Sequence, residues 1–401
     1  MTTPFYTTNG SIVTVTSIPD TFIDDIIDVN PTATTFIFTS GDFFLSKVLH
    51  IEKPNLTFIG STNNPVDVHI FQSNSSMDGI SINFAHSTIL DSLSIHVTHK
   101  DKIALTIASC NNTLVNNCYI YGNDNTFSVF YSGPKSLEQG QSTIDGYVNN
   151  VLDTRNVFRN NTIYTSWSGD SVAFCLQKEG LVDNNIIRGG KLSVYMCKDV
   201  DVTNNTVYDS VSNGIYLSLP SKNIYMSGNY IYDCKASGIK VANQMEHGTF
   251  TPEHRYNVTI EDNDIVDADF YSIELNNLNN STVIRNTFIS TAVYGIYAYQ
   301  CEQICMLYNK ISYFDVAVWL EGTSNSLVVV NELFSVYPDI AKNVVKLVNA
   351  SNNNIVTFNN VKGMISYDLY TVDSSSLNNN VINNLYSKYY TREEEKSIMK
   401  I

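Results

Sequence analysis

The chain has 401 residues, only 16% of them charged, with 24 Lys and Arg against 39 Asp and Glu for a formal net charge of −15. No basic run interleaved with aromatics appears, so nucleic acid is not an expected partner, and no apolar stretch is long enough to span a bilayer, so neither is a membrane. The start, Met1-Thr2-Thr3-Pro4-Phe5-Tyr6, lacks the basic segment and apolar core of a secretion signal, which leads to the expectation of a soluble chain, cytoplasmic or virion-associated.

Residues 1–33 read as an N-terminal cap. Within them Asp20 to Val29 predicts a short capping helix, with Phe22, Ile23, Ile26 and Ile27 on one face, Asp24, Asp25 and Asp28 on the other, and Pro31 as its stop. Such a cap is needed where a solenoid would otherwise end in exposed core. Residues 34–385 carry the repeat. An Asn followed two positions later by an apolar residue recurs at Asn161, Asn185, Asn205, Asn229, Asn263, Asn286, Asn309, Asn331, Asn359 and Asn380, at steps of 20 to 34 residues. One coil of paired parallel strands rises by roughly 4.8 Å, so these amides are expected to stack and bond from coil to coil.

A second landmark, about nine residues later, is a small or apolar residue, an apolar one, a variable one and an apolar one. Instances are Gly79-Ile80-Ser81-Ile82, Ser193-Val194-Tyr195-Met196, Gly214-Ile215-Tyr216-Leu217, Gly238-Ile239-Lys240-Val241, Ser272-Ile273-Glu274-Leu275, Gly295-Ile296-Tyr297-Ala298 and Ala317-Val318-Trp319-Leu320. Strand alternation puts the second and fourth positions inside and the first and third outside. Two insertions break the rhythm, one between Asn117 and Asn161 and one between Asn229 and Asn263; the second holds Met245 to Arg255 and is expected to overhang the lateral face. Residues 386–401, with Thr391-Arg392-Glu393-Glu394-Glu395-Lys396, read as a C-terminal cap or a docking tail.

The opening coils, Phe36-Ile37-Phe38-Thr39-Ser40-Gly41-Asp42-Phe43-Phe44-Leu45 followed by Asn55-Leu56-Thr57-Phe58-Ile59-Gly60, resemble those of the pectate-lyase-like superfamily. The resemblance implies an all-β fold, a right-handed parallel β-helix, over residues 34–385. It says little about activity, because that fold carries lyases, hydrolases, epimerases, tailspikes and structural proteins alike.

Third positions from Tyr195 onward read Tyr195, Tyr216, Lys240, Glu274, Tyr297, Trp319 and Lys346. Rings beside hydrogen-bonding charges suit a glycan, whose C–H faces pack on aromatics; the same rings would equally stabilise an exposed sheet by stacking on one another. Asp209, Asp233 and Asp267 form an acidic series that would draw Lys235 or Ca²⁺, the one cofactor considered, or else are solvated turn residues. Ser168-Gly169-Asp170-Ser171-Val172-Ala173-Phe174 looks like the polygalacturonase segment G-D-D-C-I-A-I, with Asp170 on its second Asp; the first Asp is Gly169 here, and the family's following His is absent, which argues against an inverting hydrolase. Lys240, Tyr216, His247, His254 and Arg255, with Glu246 and Glu253, are candidates for the base, acid and cation of a lyase or epimerase acting on a uronate polymer. The histidines and Arg255 would otherwise be surface residues, and no ligand spacing there implies a metal. Cys110, Cys118, Cys175, Cys197, Cys234, Cys301 and Cys305 fit no disulfide or zinc framework and read as reduced core or turn residues, with a redox-active or metal-binding pair at Cys301 and Cys305 as the alternative. Asn-x-Ser/Thr triplets such as Asn204-Asn205-Thr206 read as ladder positions. The leading expectation is a structural or surface β-helix of virion or adhesin type, a homotrimer in one arrangement, presenting a glycan-binding face; the alternative is the lyase or epimerase.

Overall fold

The computed structural model describes residues 5–122, 128–133, 143–165, 169–243, 255–289, 293–312, 314–335, 343–363 and 369–387. The chain divides into two compact units, 1–206 and 207–401. Each is a parallel β-solenoid with three walls.

In the N-terminal unit the first wall pairs Ile12–Val15, Thr35–Phe38, Thr57–Gly60, Ile89–Asp91, Leu114–Asn116, Val157–Arg159, Leu181–Asp183 and Lys198–Thr203, all in parallel. The third wall runs Leu49–Ile51, Ile80–Asn83, Ile103–Ala108, Ser128–Gly133, Asp170–Cys175, Lys191–Tyr195. In the C-terminal unit the third wall is Ile215–Leu219, Ile239–Asn243, Tyr271–Asn276, Tyr294–Tyr299, Val316–Glu321, Asn343–Val348, Tyr370–Val372. Its second and fourth motif positions, such as Ile239 and Val241 or Val318 and Leu320, are fully buried. Each such side chain contributes about 1.5–3 kcal/mol of hydrophobic stabilisation.

The first motif position does not face outward as strand alternation predicts. Ser272, Ala317 and Val344 are 0–1% exposed, and a Cβ on Gly238 would approach Ile265 Cγ2 to 2.4 Å. This position is buried on every one of these coils, and at Gly238 there is no room for a side chain.

The asparagine ladder forms inside each unit. In the C-terminal unit Asn229, Asn263, Asn286, Asn309, Asn331 and Asn359 each donate a side-chain N–H to the next Asn Oδ1, at 2.8–3.0 Å. The last acceptor is Asn384, not Asn380. Asn380 instead opens the first-wall strand Asn380–Ile382, because the coil needs 25 residues rather than 21.

The predicted capping helix over Asp20 to Val29 is not formed; the segment is a run of turns. Phe22 makes a parallel bridge with Phe44, and the Asp24 carboxylate accepts from the Ser46 and Lys47 N–H groups. These side-on contacts tie the segment to the next coil, and its own backbone bonds, Ile26 N–H to Ile23 O and Val29 N–H to Asp25 O, close single turns rather than a continuous helix. Ile23 and Ile26 are buried as expected, but Phe22 is 49% exposed. Among the described residues no helix is long and apolar enough to cross a membrane.

Candidate functional site

The outward column foreseen from the sequence exists in the C-terminal unit. Tyr216 pairs with Lys240, Lys240 with Glu274, Glu274 with Tyr297, Tyr297 with Trp319 and Trp319 with Lys346. Tyr216 is nearly buried, at 9% exposure. Two flanking columns were missed. Tyr271 and Tyr294 precede the small corner residue, and Asn276, Tyr299 and Glu321 follow two positions after the third; the latter set was legible from alternation alone.

The charges on this wall are engaged. Lys240 Nζ lies 2.8 Å from Glu274 Oε1, and Glu274 also accepts from Ser237 Oγ at 2.7 Å and Asn276 Nδ2 at 2.9 Å. Tyr297 OH donates to Glu321 Oε2 at 2.9 Å, and Asn349 Nδ2 donates to Oε1 at 2.7 Å. Burial, then Glu321, pushes the Tyr297 phenol far above its ordinary pKa, so it stays a donor. The rings of Tyr271 and Tyr297 stack at 5.0 Å and 17°, and those of Tyr271 and Tyr294 at 5.2 Å and 23°. Trp319 stands at 56° and 62° to Tyr294 and Tyr297, with Lys346 Nζ 4.0 Å from a ring centroid on Trp319. Trp319 Nε1 is buried without a hydrogen-bond partner.

Tyr195 does not belong to an equivalent column in its own unit. Ala173 pairs with Ser193, and Tyr195 pairs with Cys175, two residues further along. Leu192 and Val194 fill the interior there. Tyr195 instead lies by Asp170: its OH donates to Oδ2 at 2.6 Å, Ser193 Oγ donates to Oδ1 at 2.5 Å, and Lys191 Nζ is 3.2 Å from Oδ1. The sequence pointed to Asp170 and Tyr195 separately; Lys191 and Ser193 were not foreseen. The insertion that begins after Asn117 contributes the helix Thr143–Val148, whose Tyr147 is buried against Cys175, Leu176 and Met196, with Tyr195 packed alongside.

His247 and His254 lie outside the described residues, as do Glu246 and Glu253. Arg255 opens the first-wall strand Arg255–Glu261 opposite Ser221. Asp209, Asp233 and Asp267 adopt left-handed backbone, at φ 53°, 51° and 54°, one residue before the ends of the strands Thr206–Ser210, Tyr230–Cys234 and Asp264–Ala268, and Lys235 Nζ is 2.5 Å from Asp233. All seven cysteines are thiols rather than disulfides, and six are buried. Burial pushes the Cys118, Cys175 and Cys234 thiols up to about 12, and Cys301 Sγ serves a ladder, receiving the Leu278 N–H at 3.5 Å. Among the described residues no group of three His, Cys, Asp or Glu is placed to hold a metal.

Two family models match parts of the chain. One, described as "Right handed beta helix region", covers residues 144–254, and one, described as "Periplasmic copper-binding protein (NosD)", covers 240–346. No curated protein matches by sequence. Among solved structures, the A-module of the Azotobacter vinelandii mannuronan C-5 epimerase AlgE6 aligns at a TM-score of 0.59 and 14% identity, covering 92% of this chain and 95% of that one. A catalytic domain of a GH87 α-1,3-glucanase in complex with tetrasaccharides aligns at 0.57 and 12% identity, covering 97% and 70%. The catalytic unit of a thermostable GH87 α-1,3-glucanase from Streptomyces thermodiastaticus aligns at 0.51 and 13%, covering 91% and 66%. The protein is thus a right-handed parallel β-helix. More closely, its fold is the pectate-lyase-like one.

Proposed function

We propose that the third wall of the C-terminal unit is a glycan-binding face. The observation that carries this reading is the in-register column of Lys240, Glu274, Tyr297, Trp319 and Lys346, flanked by Tyr271, Tyr294, Tyr299 and Glu321. It offers aromatic surface and fixed polar groups along one line, the combination a sugar chain needs. That solved proteins of this fold include a mannuronan epimerase and an α-1,3-glucanase supports a carbohydrate ligand. Glu274 and Glu321 are each held by two or three donors, which fixes them as oriented acceptors for ligand hydroxyls. We read the chain as a structural surface component, of virion or adhesin type. The test is a glycan array and affinity electrophoresis of the parent, W319A and Y297F. Binding that W319A abolishes supports the reading; no retention on any glycan, or retention unchanged by both substitutions, refutes it.

A second reading, a lyase or epimerase on a uronate polymer, is favoured by one observation in the N-terminal unit. Asp170, Tyr195 and Lys191 together supply a carboxylate, a phenol and an ammonium within hydrogen-bonding reach, the groups needed to move a proton beside a carboxylate. Incubation with polyuronates tests it by ultraviolet absorbance of an unsaturated product and by NMR of the polymer. Turnover lost in Y195F and D170N supports catalysis; no change in either signal removes it.

A further inference from the structure

The three walls do not finish alike at the N-terminal end of the solenoid. On the first wall the strand Tyr6–Asn9 pairs antiparallel with Ile12–Val15. On the second wall Phe22 bridges Phe44 of the strand Gly41–Leu45, and Ile23 N–H donates to Phe44 O at 3.0 Å. The third wall opens with Leu49–Ile51, which among the described residues pairs only with the next strand, Ile80–Asn83. Leu49 N–H donates to Gly79 O at 3.1 Å, so Leu49 and Ile51 turn their backbone groups to that coil. Parallel alternation then sends the His50 N–H and C=O the other way, off the edge of the sheet.

That edge borders a cavity of about 740 Å³ between the strand and the cap segment 20–31. Two staples fix its ends. At one, the Asp24 carboxylate accepts from the Ser46 and Lys47 N–H groups at 2.8 and 3.0 Å; at the other, Lys53 Nζ donates to Pro31 O at 2.6 Å and to Ala33 O at 3.2 Å. Between the staples the cap runs as turns, and among the described residues no backbone hydrogen bond joins it to Leu49–Ile51. The lining is two-sided: Ile27 and Val48 are half-buried and apolar, whereas Asp25, Asp28 and Glu52 are exposed carboxylates whose side chains have no ion-pair or hydrogen-bond partner among the described residues. Besides the His50 imidazole, the basic groups on the cavity are Lys47 and Lys53, the second already spent on carbonyls. The slot is therefore acidic.

We propose that this slot takes an extended peptide as an added strand of the third wall, one in which basic and apolar residues alternate. The open edge supplies main-chain hydrogen bonds through His50, the mode by which a peptide extends a sheet. Side chains alternate along a strand, and Leu49 and Ile51 point inward while His50 and Glu52 are exposed. Residues of the added strand beside Leu49 and Ile51 thus turn towards Ile27 and Val48, and those beside His50 turn outward among the carboxylates. The cavity is within the ~300–1,000 Å³ of ligand pockets, so it holds a few residues rather than a domain. Its ionic contacts are exposed, which makes the binding weak and sensitive to salt. The site lies wholly in the N-terminal unit and is independent of the glycan-binding face.

Fluorescence anisotropy of the full chain with a labelled, alternating lysine–valine hexapeptide is the test, run beside a glutamate–valine peptide and an N-methylated lysine–valine peptide of the same charge. The expected result is that the first binds, less tightly as salt rises, and that the other two do not. E52K should weaken binding roughly fivefold. H50P removes an N–H that the coil itself does not use, a change a sheet edge tolerates, and should weaken binding roughly tenfold at an unchanged Tm; H50A keeps the backbone donor and should bind as the parent does. No binding of the lysine–valine peptide overturns the proposal. Equal binding of the N-methylated peptide also overturns it, since charge alone would then account for the affinity, as does binding that H50P leaves intact or that H50A weakens as much. If H50P fails to fold, the N-methylated peptide decides.

Discussion

Asp153 offers the sharpest test of how burial governs this solenoid, through the substitution D153N. The residue lies on a first-wall strand and is 5% exposed, and its Oδ2 has no hydrogen-bond partner. Burial pushes its carboxyl up to about 7, against the opposing pull of hydrogen bonds from Cys110, Ser109 and Gln177. In the unfolded chain the same group titrates near 3.8. Between those two values the folded protein keeps a proton that the unfolded chain has lost, so stability falls as pH rises through this window and stays low above it. The gap corresponds to roughly 4 kcal/mol as an upper limit, and relaxation around the charge brings the expectation to about 2–4 kcal/mol. An amide in that place mimics the neutral acid at every pH. D153N and the parent should therefore melt together near pH 4, and at pH 8 the variant should melt higher by about 2–5 °C for a chain of this length. Scanning calorimetry of both proteins at matched pH measures the difference, in which every other titrating group cancels. A variant less stable than the parent at pH 8, or a difference that does not change with pH, refutes the assignment.

His96 makes the complementary case. Burial and then His69 hold its imidazole down to about 4, with Asp42 pulling the other way; its ring nitrogen lies 3.1 Å from that of His69. The neutral ring is the folded form, so stability is full above pH 6.5 and is lost as pH falls towards 4; H96F, which keeps the 4.6 Å stack on Phe71, should remove that loss in a Tm series across the window. N286A should lower stability by about 3 kcal/mol or more in urea denaturation, because it strips the Asn263 N–H and side-chain amide of their acceptor and orphans buried groups on both sides. G238A should cost about 1–3 kcal/mol, since its Cβ would meet Ile265 Cγ2 at 2.4 Å and Ser272 O at 2.8 Å; an unchanged Tm would show that the corner can open.

The coil and its ladder were legible because both leave periodic marks. A buried asparagine that bonds to the coils before and after it cannot be replaced cheaply, so Asn263, Asn286, Asn309 and Asn331 stand out at a glance. The central column followed from them wherever one small–apolar–variable–apolar reading was available, as from Tyr216 to Lys346. Tyr195 failed for a specific reason. A slip of one residue turns every side chain to the wrong face, but a slip of two leaves the alternation intact, and Leu192-Ser193-Val194 reads as apolar–variable–apolar as well as Val194-Tyr195-Met196 does. Only the pairing of Ala173 with Ser193 resolves it. The same slip hid the cluster around Asp170, because the partners of that carboxylate come from a neighbouring coil whose register was misjudged.

Left-handed turns were illegible for a different reason. Sequence marks them when Gly or Asn occupies them, as at Asn184 and Gly228. It marks nothing when the residue is Tyr308, Val330 or Phe358, which by propensity belong in a strand. The fold nevertheless imposes the turn, because the ladder asparagine one residue later fixes the corner on every coil: Asn309, Asn331 and Asn359 are each fully buried. A corner that recurs on every coil thus converts ordinary strand formers into strained, outward apolar residues.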